Sequence, residues 1–88
     1  MPMRINDRMI DTPMKIIRLA VLDISQGQMA KIANTTQATV SRWEAGVLEP
    51  DRLQMEAIRA AALERGIDWQ DNWFFDAKNI PAQKIEAA

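Results

Sequence analysis

Between Thr36 and Gly46 the chain reads TQATVSRWEAG, a stretch with a definite set of contact-making side chains. A carboxamide (Gln37), a methyl (Ala38), two hydroxyls (Thr39, Ser41) and a guanidinium (Arg42) fall within six positions. A carboxamide can pair with both hydrogen-bonding positions of an adenine edge and a guanidinium with those of a guanine. A small methyl can lie against a thymine methyl, and hydroxyls reach phosphate or base. Val40 and Trp43, three residues apart, anchor one side of a helix and leave the other five on its remaining faces. No acidic residue lies between Lys31 and Arg42, so nothing there repels a phosphate backbone. The same pattern also fits a surface helix that is merely solvated.

Such side chains act together only if their helix is held at a fixed angle to the body, and the preceding residues describe that support. Ser25 with Gln28 three positions on is a capping-box start. It opens a helix from Gln26 to about Ala33, with Met29, Ile32 and Ala33 inward and Gln26, Gln28 and Lys31 outward. Asn34 stands where the chain needs a positive φ, a conformation Asn tolerates next best after Gly. Thr36 caps a second helix, Gln37 to about Ala45, and Gly46 closes it in the left-handed region. A short helix, a four-residue corner and a second helix is a helix-turn-helix.

The run Gln26, Ala30, Ile32, Asn34, Thr36, Gln37, Ala38, Thr39, Val40, Ser41, Arg42, Trp43, Glu44, Gly46 and Pro50 resembles the Xre or Cro-type helix-turn-helix family of phage and bacterial repressors. The resemblance covers roughly residues 14 to 66. It implies an all-α fold, a compact bundle of about five helices, with the second motif helix in the major groove of double-stranded DNA. It also implies a two-fold homodimer on a palindromic operator. Carried over by position, Gln37, Ala38 and Arg42 resemble the family's base-reading residues, and Gln26 its phosphate-contacting glutamine. Thr36, Thr39 and Ser41 lie beside the backbone path, with Lys31 a further phosphate contact. Glu44 matches a position that is more often structural. Asn34 departs from the family's usual Gly while meeting the same backbone requirement. The first helix is structural in the family, and Lys15 or Arg18 at most touches phosphate.

Composition narrows the alternatives. The 88 residues form one small domain, and neither Cys nor His occurs. A zinc site and the usual nucleophilic triads therefore have no residues to build them. Asp68 and Asp71 could act as paired carboxylates, but carboxylates near an exposed chain end are usually only solvated. The expectation is a non-enzyme with no cofactor and no metal, in a reducing cytoplasm. No apolar run approaches a membrane span, and the start lacks a signal-peptide core. The net charge is −1, but residues 1 to 42 carry six basic against three acidic residues, and residues 43 to 88 carry five against nine. That division implies a positive face at the motif, an acidic face away from it, and a moderate salt dependence of DNA binding.

Residues 1–11 read as a flexible arm, frayed or lying along DNA, or as a short strand in a dimer contact. Thr12 and Pro13 are an N-cap and first helical residue, opening a helix to about Asp23 with Ile16, Ile17, Ala20 and Val21 inward. Asp51 and Gln54 form a second capping box, for a helix from Arg52 to about Arg65 that Gly66 ends. Leu53, Ile58 and Ala62 are expected inward, with Met55 and Ala61 at the border.

Residues 66–76 contain four of the five aromatic residues. Helical spacing pairs Trp69 with Trp73, strand spacing separates Phe74 from Phe75, and periodicity does not choose. Trp69, Trp73, Phe74 and Phe75 are expected to build part of a homodimer interface, the alternative being that they cap the monomer's own core. The domain is thus expected over residues 12–76, with 77–88 a mobile tail. A second class of function is an antitoxin-like interaction module, holding a protein partner through the acidic, aromatic half and binding DNA secondarily.

Overall fold

The computed structural model describes residues 11–81, and among them the fold is all-α. Its elements are α1 (Pro13–Ile16), which runs on as a π-helical stretch (Ile17–Leu22), then α2 (Gln26–Ala33), α3 (Gln37–Glu44) and α4 (Arg52–Glu64). Two 3₁₀ turns follow, Asp71–Phe74 and Ala77–Asn79, in place of a fifth α-helix. No helix among the described residues is long and apolar enough to cross a membrane.

Each helix begins and ends for a local reason. Thr12 caps α1, Ser25 caps α2 and Asp51 caps α4, the last two as complete capping boxes with Gln28 and Gln54. The three later helices end on the same pair of backbone hydrogen bonds around a left-handed residue. At α2 the Thr35 and Asn34 N–H groups donate to the carbonyls of Ala30 and Lys31 at 2.8 and 3.2 Å, with Asn34 at φ 57°. Gly46 (φ 79°) closes α3 and Gly66 (φ 77°) closes α4 by the equivalent bonds. A side chain there would add left-handed strain to the turn.

The core is one cluster to which every element contributes. Met14, Ile16, Ile17 and Leu22 come from the first element, Met29, Ala30 and Ala33 from α2, and Val40 and Trp43 from α3. Ile58 and Ala62 come from α4, and Trp69, Trp73 and Ile80 from the C-terminal segment. In the first element Ile16 and Ile17 are buried as expected and Ala20 and Val21 pack half-buried against the core, but Leu22, absent from the expected inward set, is buried more deeply than either at 6% exposure. The π-helical winding explains it. Its i to i+5 closure puts Leu22 over Ile17, which is fully buried, and the stretch ends at Asp23 in the left-handed region. Along α4 Ile58 and Ala62 are fully enclosed and Ala61 is buried as well, but Leu53 is 75% exposed. It occupies the first turn of the helix and lies outside the core cluster.

The aromatic segment differs from the expectation in two ways. Trp69 and Trp73 are 8% and 5% exposed, so they belong to the monomer's core rather than to a surface. Their rings meet edge to face at 4.9 Å, and Phe74 packs on Trp69 at 5.0 Å. Only Phe75, 70% exposed, and half-buried Phe74 remain for outside contacts. The chain also stays folded beyond Asp76. The Asp76 side chain caps the turn Ala77–Asn79, and Ile80 is 1% exposed in the core, so the tail expected from Ala77 starts with residues of the folded body. The cause is space: α4 gives the core only Ile58 and the small Ala62, and two indoles and an isoleucine complete it. Residues 1–10 and 82–88, where the N-terminal arm and the rest of the tail are expected, lie outside the described residues.

Candidate nucleic-acid interface

α2 and α3 both turn polar side chains to solvent, and Gln26 of the first meets Gln37 of the second. Val40 and Trp43 lock α3 to the body at 0% and 2% exposure, which fixes what the helix shows to solvent. Gln37, Ala38, Ser41 and Arg42 are exposed along it. At the corner before it, the Thr36 hydroxyl accepts from the Thr39 N–H at 3.1 Å and shares a hydrogen bond with the Thr39 hydroxyl at 3.0 Å. Thr36 is exposed and Thr39 half-buried. Lys31, exposed in the last turn of α2, flanks the corner on the side of its C-terminus. No acidic residue occurs in the sequence from Lys31 to Arg42.

Gln26 and Gln37, eleven residues apart, are brought into contact. The Gln37 Nε2 donates to Gln26 Oε1 at 3.2 Å, so the first residue of α2 braces the first residue of α3. Behind them is an ion pair that the sequence pattern does not reveal. Glu44 accepts two hydrogen bonds from Arg18, through Nε to Oε2 and through Nη2 to Oε1, the latter at 3.1 Å. The remaining Arg18 nitrogen, Nη1, donates to the Ile24 carbonyl at 3.0 Å. Gln26 Nε2 donates to the same Glu44 Oε1 at 3.1 Å. The Arg18 and Glu44 side chains are 13% and 8% exposed.

This arrangement corrects the reading of Arg18 as a phosphate contact: its guanidinium is spent on Glu44 and the chain behind it. Glu44 is structural, as its position in the motif implies. No local signal could have found the pair, since the partners are 26 residues apart and Arg18 lies in the π-helical stretch, whose register α-helical spacing misplaces. Lys15 likewise turns to Asp11, at 3.7 Å. The positive charge left facing outward at the motif thus comes from Lys31 and Arg42. Asp71, the other carboxylate of note, accepts from the Trp69 indole at 2.9 Å and faces Arg59 at 3.5 Å, which makes it a fastening for the tryptophan.

The chemistry offered outward is that of hydrogen-bonding side chains and two cations. Gln37, Ala38 and Arg42 place a carboxamide, a methyl and a guanidinium on the exposed side of α3, with the hydroxyls of Thr36 and Ser41 also exposed. A family model for helix-turn-helix proteins matches residues 14–70, well over half of the chain. No match was found among curated proteins or among solved structures.

Proposed function

The chain belongs to the Xre/Cro-like helix-turn-helix family of DNA-binding transcription regulators, and from that premise we propose that it is a homodimeric repressor that reads an inverted-repeat operator and controls its own gene. The observation that carries the reading is the outward set on α3. Gln37, Ala38 and Arg42 are exposed together on a helix pinned from behind by Val40 and Trp43. In the complex these three read base edges, while Gln26, Lys31, Thr36, Thr39 and Ser41 contact the backbone. Two copies of α3 enter successive major grooves about one helical turn apart, which requires a two-fold axis.

The dimer contact falls on the exposed residues that the core does not consume. Phe75 and Leu48, 70% and 45% exposed, border grooves floored by Met55, Phe74 and Pro50. Arg52, Arg59, Glu56 and Asp71 line the rim, and a patch with both signs of charge can complement itself across a two-fold axis. Phe75→Glu is expected to halve the mass in solution, measured by sedimentation; an unchanged dimer removes Phe75 from the contact.

Binding of the purified protein to the DNA immediately upstream of its own gene tests the main reading. Fluorescence anisotropy against a scrambled duplex at two salt concentrations is expected to show preference for the native duplex that survives the higher salt. Equal, weak binding to both duplexes rejects self-regulation.

A further inference from the structure

We propose that Glu44, held by Arg18, is a positioning residue for base recognition: its carboxylate dictates, through Gln26, which way round the Gln37 carboxamide faces the DNA. The inference rests on the reading of Gln37 as a base contact. An ionised carboxylate only accepts hydrogen bonds, so the Gln26 atom beside Glu44 Oε1 has to be the amide nitrogen, as the 3.1 Å contact has it. The amide is planar, so its oxygen is turned to the other side, where it lies 3.2 Å from the Gln37 side chain. That oxygen also only accepts. The Gln37 atom facing it therefore has to be nitrogen, and the two carboxamides are set by one charge two residues away.

Without Glu44 the pair would be degenerate. Gln26 nitrogen to Gln37 oxygen makes as good a hydrogen bond as the reverse, and the two arrangements present opposite edges to a groove. With Glu44 in place, Gln37 gives one N–H inward and keeps its second N–H and its oxygen for the outside. This donor and acceptor match the N7 and N6 of adenine, whereas guanine offers two acceptors and leaves the oxygen facing one of them. Arg18 completes the device. Its bidentate grip holds Glu44 in place, and its third nitrogen is tied to the Ile24 carbonyl, so the whole row from the π-helical stretch to the first turn of α3 is braced in sequence.

The test uses the duplex that the full-length protein selects from a randomised pool, and the base pair at which Gln37→Ala loses preference. The readout is the ratio of affinities for A·T and G·C at that pair. Gln26→Met keeps the Arg18–Glu44 pair and is expected to lower the ratio about tenfold. Glu44→Gln is expected to do the same, because a neutral amide lets Gln26 turn over. The preference at the pair read by Arg42 stays unchanged in both. The double variant is expected to lose no more than Gln26→Met alone, since the two act in one relay. An unchanged ratio in Gln26→Met overturns the proposal, whether or not Glu44→Gln folds, and so does an additive loss in the double variant. If Gln37→Ala erases no preference at any pair, the assignment of Gln37 as a base reader fails first, and the relay falls with it.

Discussion

Two carboxylates divide the molecule between them. Glu44, at the end of α3, and Asp71, at the start of the aromatic turn, each join an arginine to a second side-chain N–H: Arg18 and Gln26 in the first case, Arg59 and Trp69 in the second. The environments are opposite. Glu44 is 8% exposed with a bidentate partner that is 13% exposed, whereas Asp71 and Arg59 are 63% and 47% exposed and meet at 3.5 Å. The enclosed network puts polar side chains in order and faces outward at Gln26 and Gln37. The exposed one fastens a tryptophan whose ring points inward. The same two interaction types thus order a row of polar side chains in one half and hold a buried indole in the other, and what separates them is how much water each excludes.

The sharpest way to break this comparison is to remove the anchor on each side. Glu44→Ala leaves the Arg18 guanidinium nearly enclosed with only the Ile24 carbonyl, and is expected to destabilise the fold by about 3 to 5 kcal/mol. Trp73→Ala, which empties a site 5% exposed, is expected to cost a similar amount, about 3 to 5 kcal/mol, through the cavity it leaves. Urea unfolding monitored by circular dichroism measures both. A Trp73→Ala variant within about 0.5 kcal/mol of the parent, the size of an exposed-site change, would return the indole to the surface role expected from the sequence.

The next largest effect separates the outward faces. Arg42→Ala touches no core residue, so stability should be unchanged while operator binding falls by about 1 to 3 kcal/mol and specificity relaxes at one base pair. Lys31→Ala, also at an exposed position, should weaken operator and scrambled duplex alike and lower the salt slope by about one. Anisotropy titrations on both duplexes at several salt concentrations check the pair. An Arg42→Ala protein that binds its operator as tightly as the parent would leave Gln37 as the reader and move Arg42 off the bases.

These two halves also differ in how far they can be read from sequence. In the motif each backbone event has a residue type that only one geometry satisfies. Thr36 and Ser25 cap, Asn34 and Gly46 take positive φ, and Val40 and Trp43 set the buried side three residues apart. Local rules suffice there, and the helix-turn-helix and its outward residues follow from them. Legibility ends where the partners are distant. The Arg18–Glu44 pair joins residues 26 apart, the π-helical stretch shifts Leu22 inward against α-helical spacing, and Leu53 has the right period but is 75% exposed. Trp69 and Trp73 show the same limit. Their amount of apolar surface is visible in the sequence, but whether it fits inside depends on the space left by Ile58 and Ala62 of α4 and by the other elements, which no window of sequence contains.

The smallest expected effects lie on the exposed carboxylate and complete the contrast with Glu44. Asp71→Ala removes the acceptor of the Trp69 indole N–H and should cost about 1 kcal/mol, the net worth of one hydrogen bond whose donor can turn to nearby water. Arg59→Ala removes only the 3.5 Å ion pair, at a site where both partners are about half exposed, and should cost less than about 0.5 kcal/mol. The pair of measurements asks whether the arginine matters to the fastening at all. If Arg59→Ala destabilises as much as Asp71→Ala, the guanidinium is holding the carboxylate against the indole, and the exposed network works as a relay like the enclosed one. If it costs nothing measurable, Asp71 grips Trp69 unaided, and ordering a row of side chains from a single charge requires the exclusion of water found at Glu44.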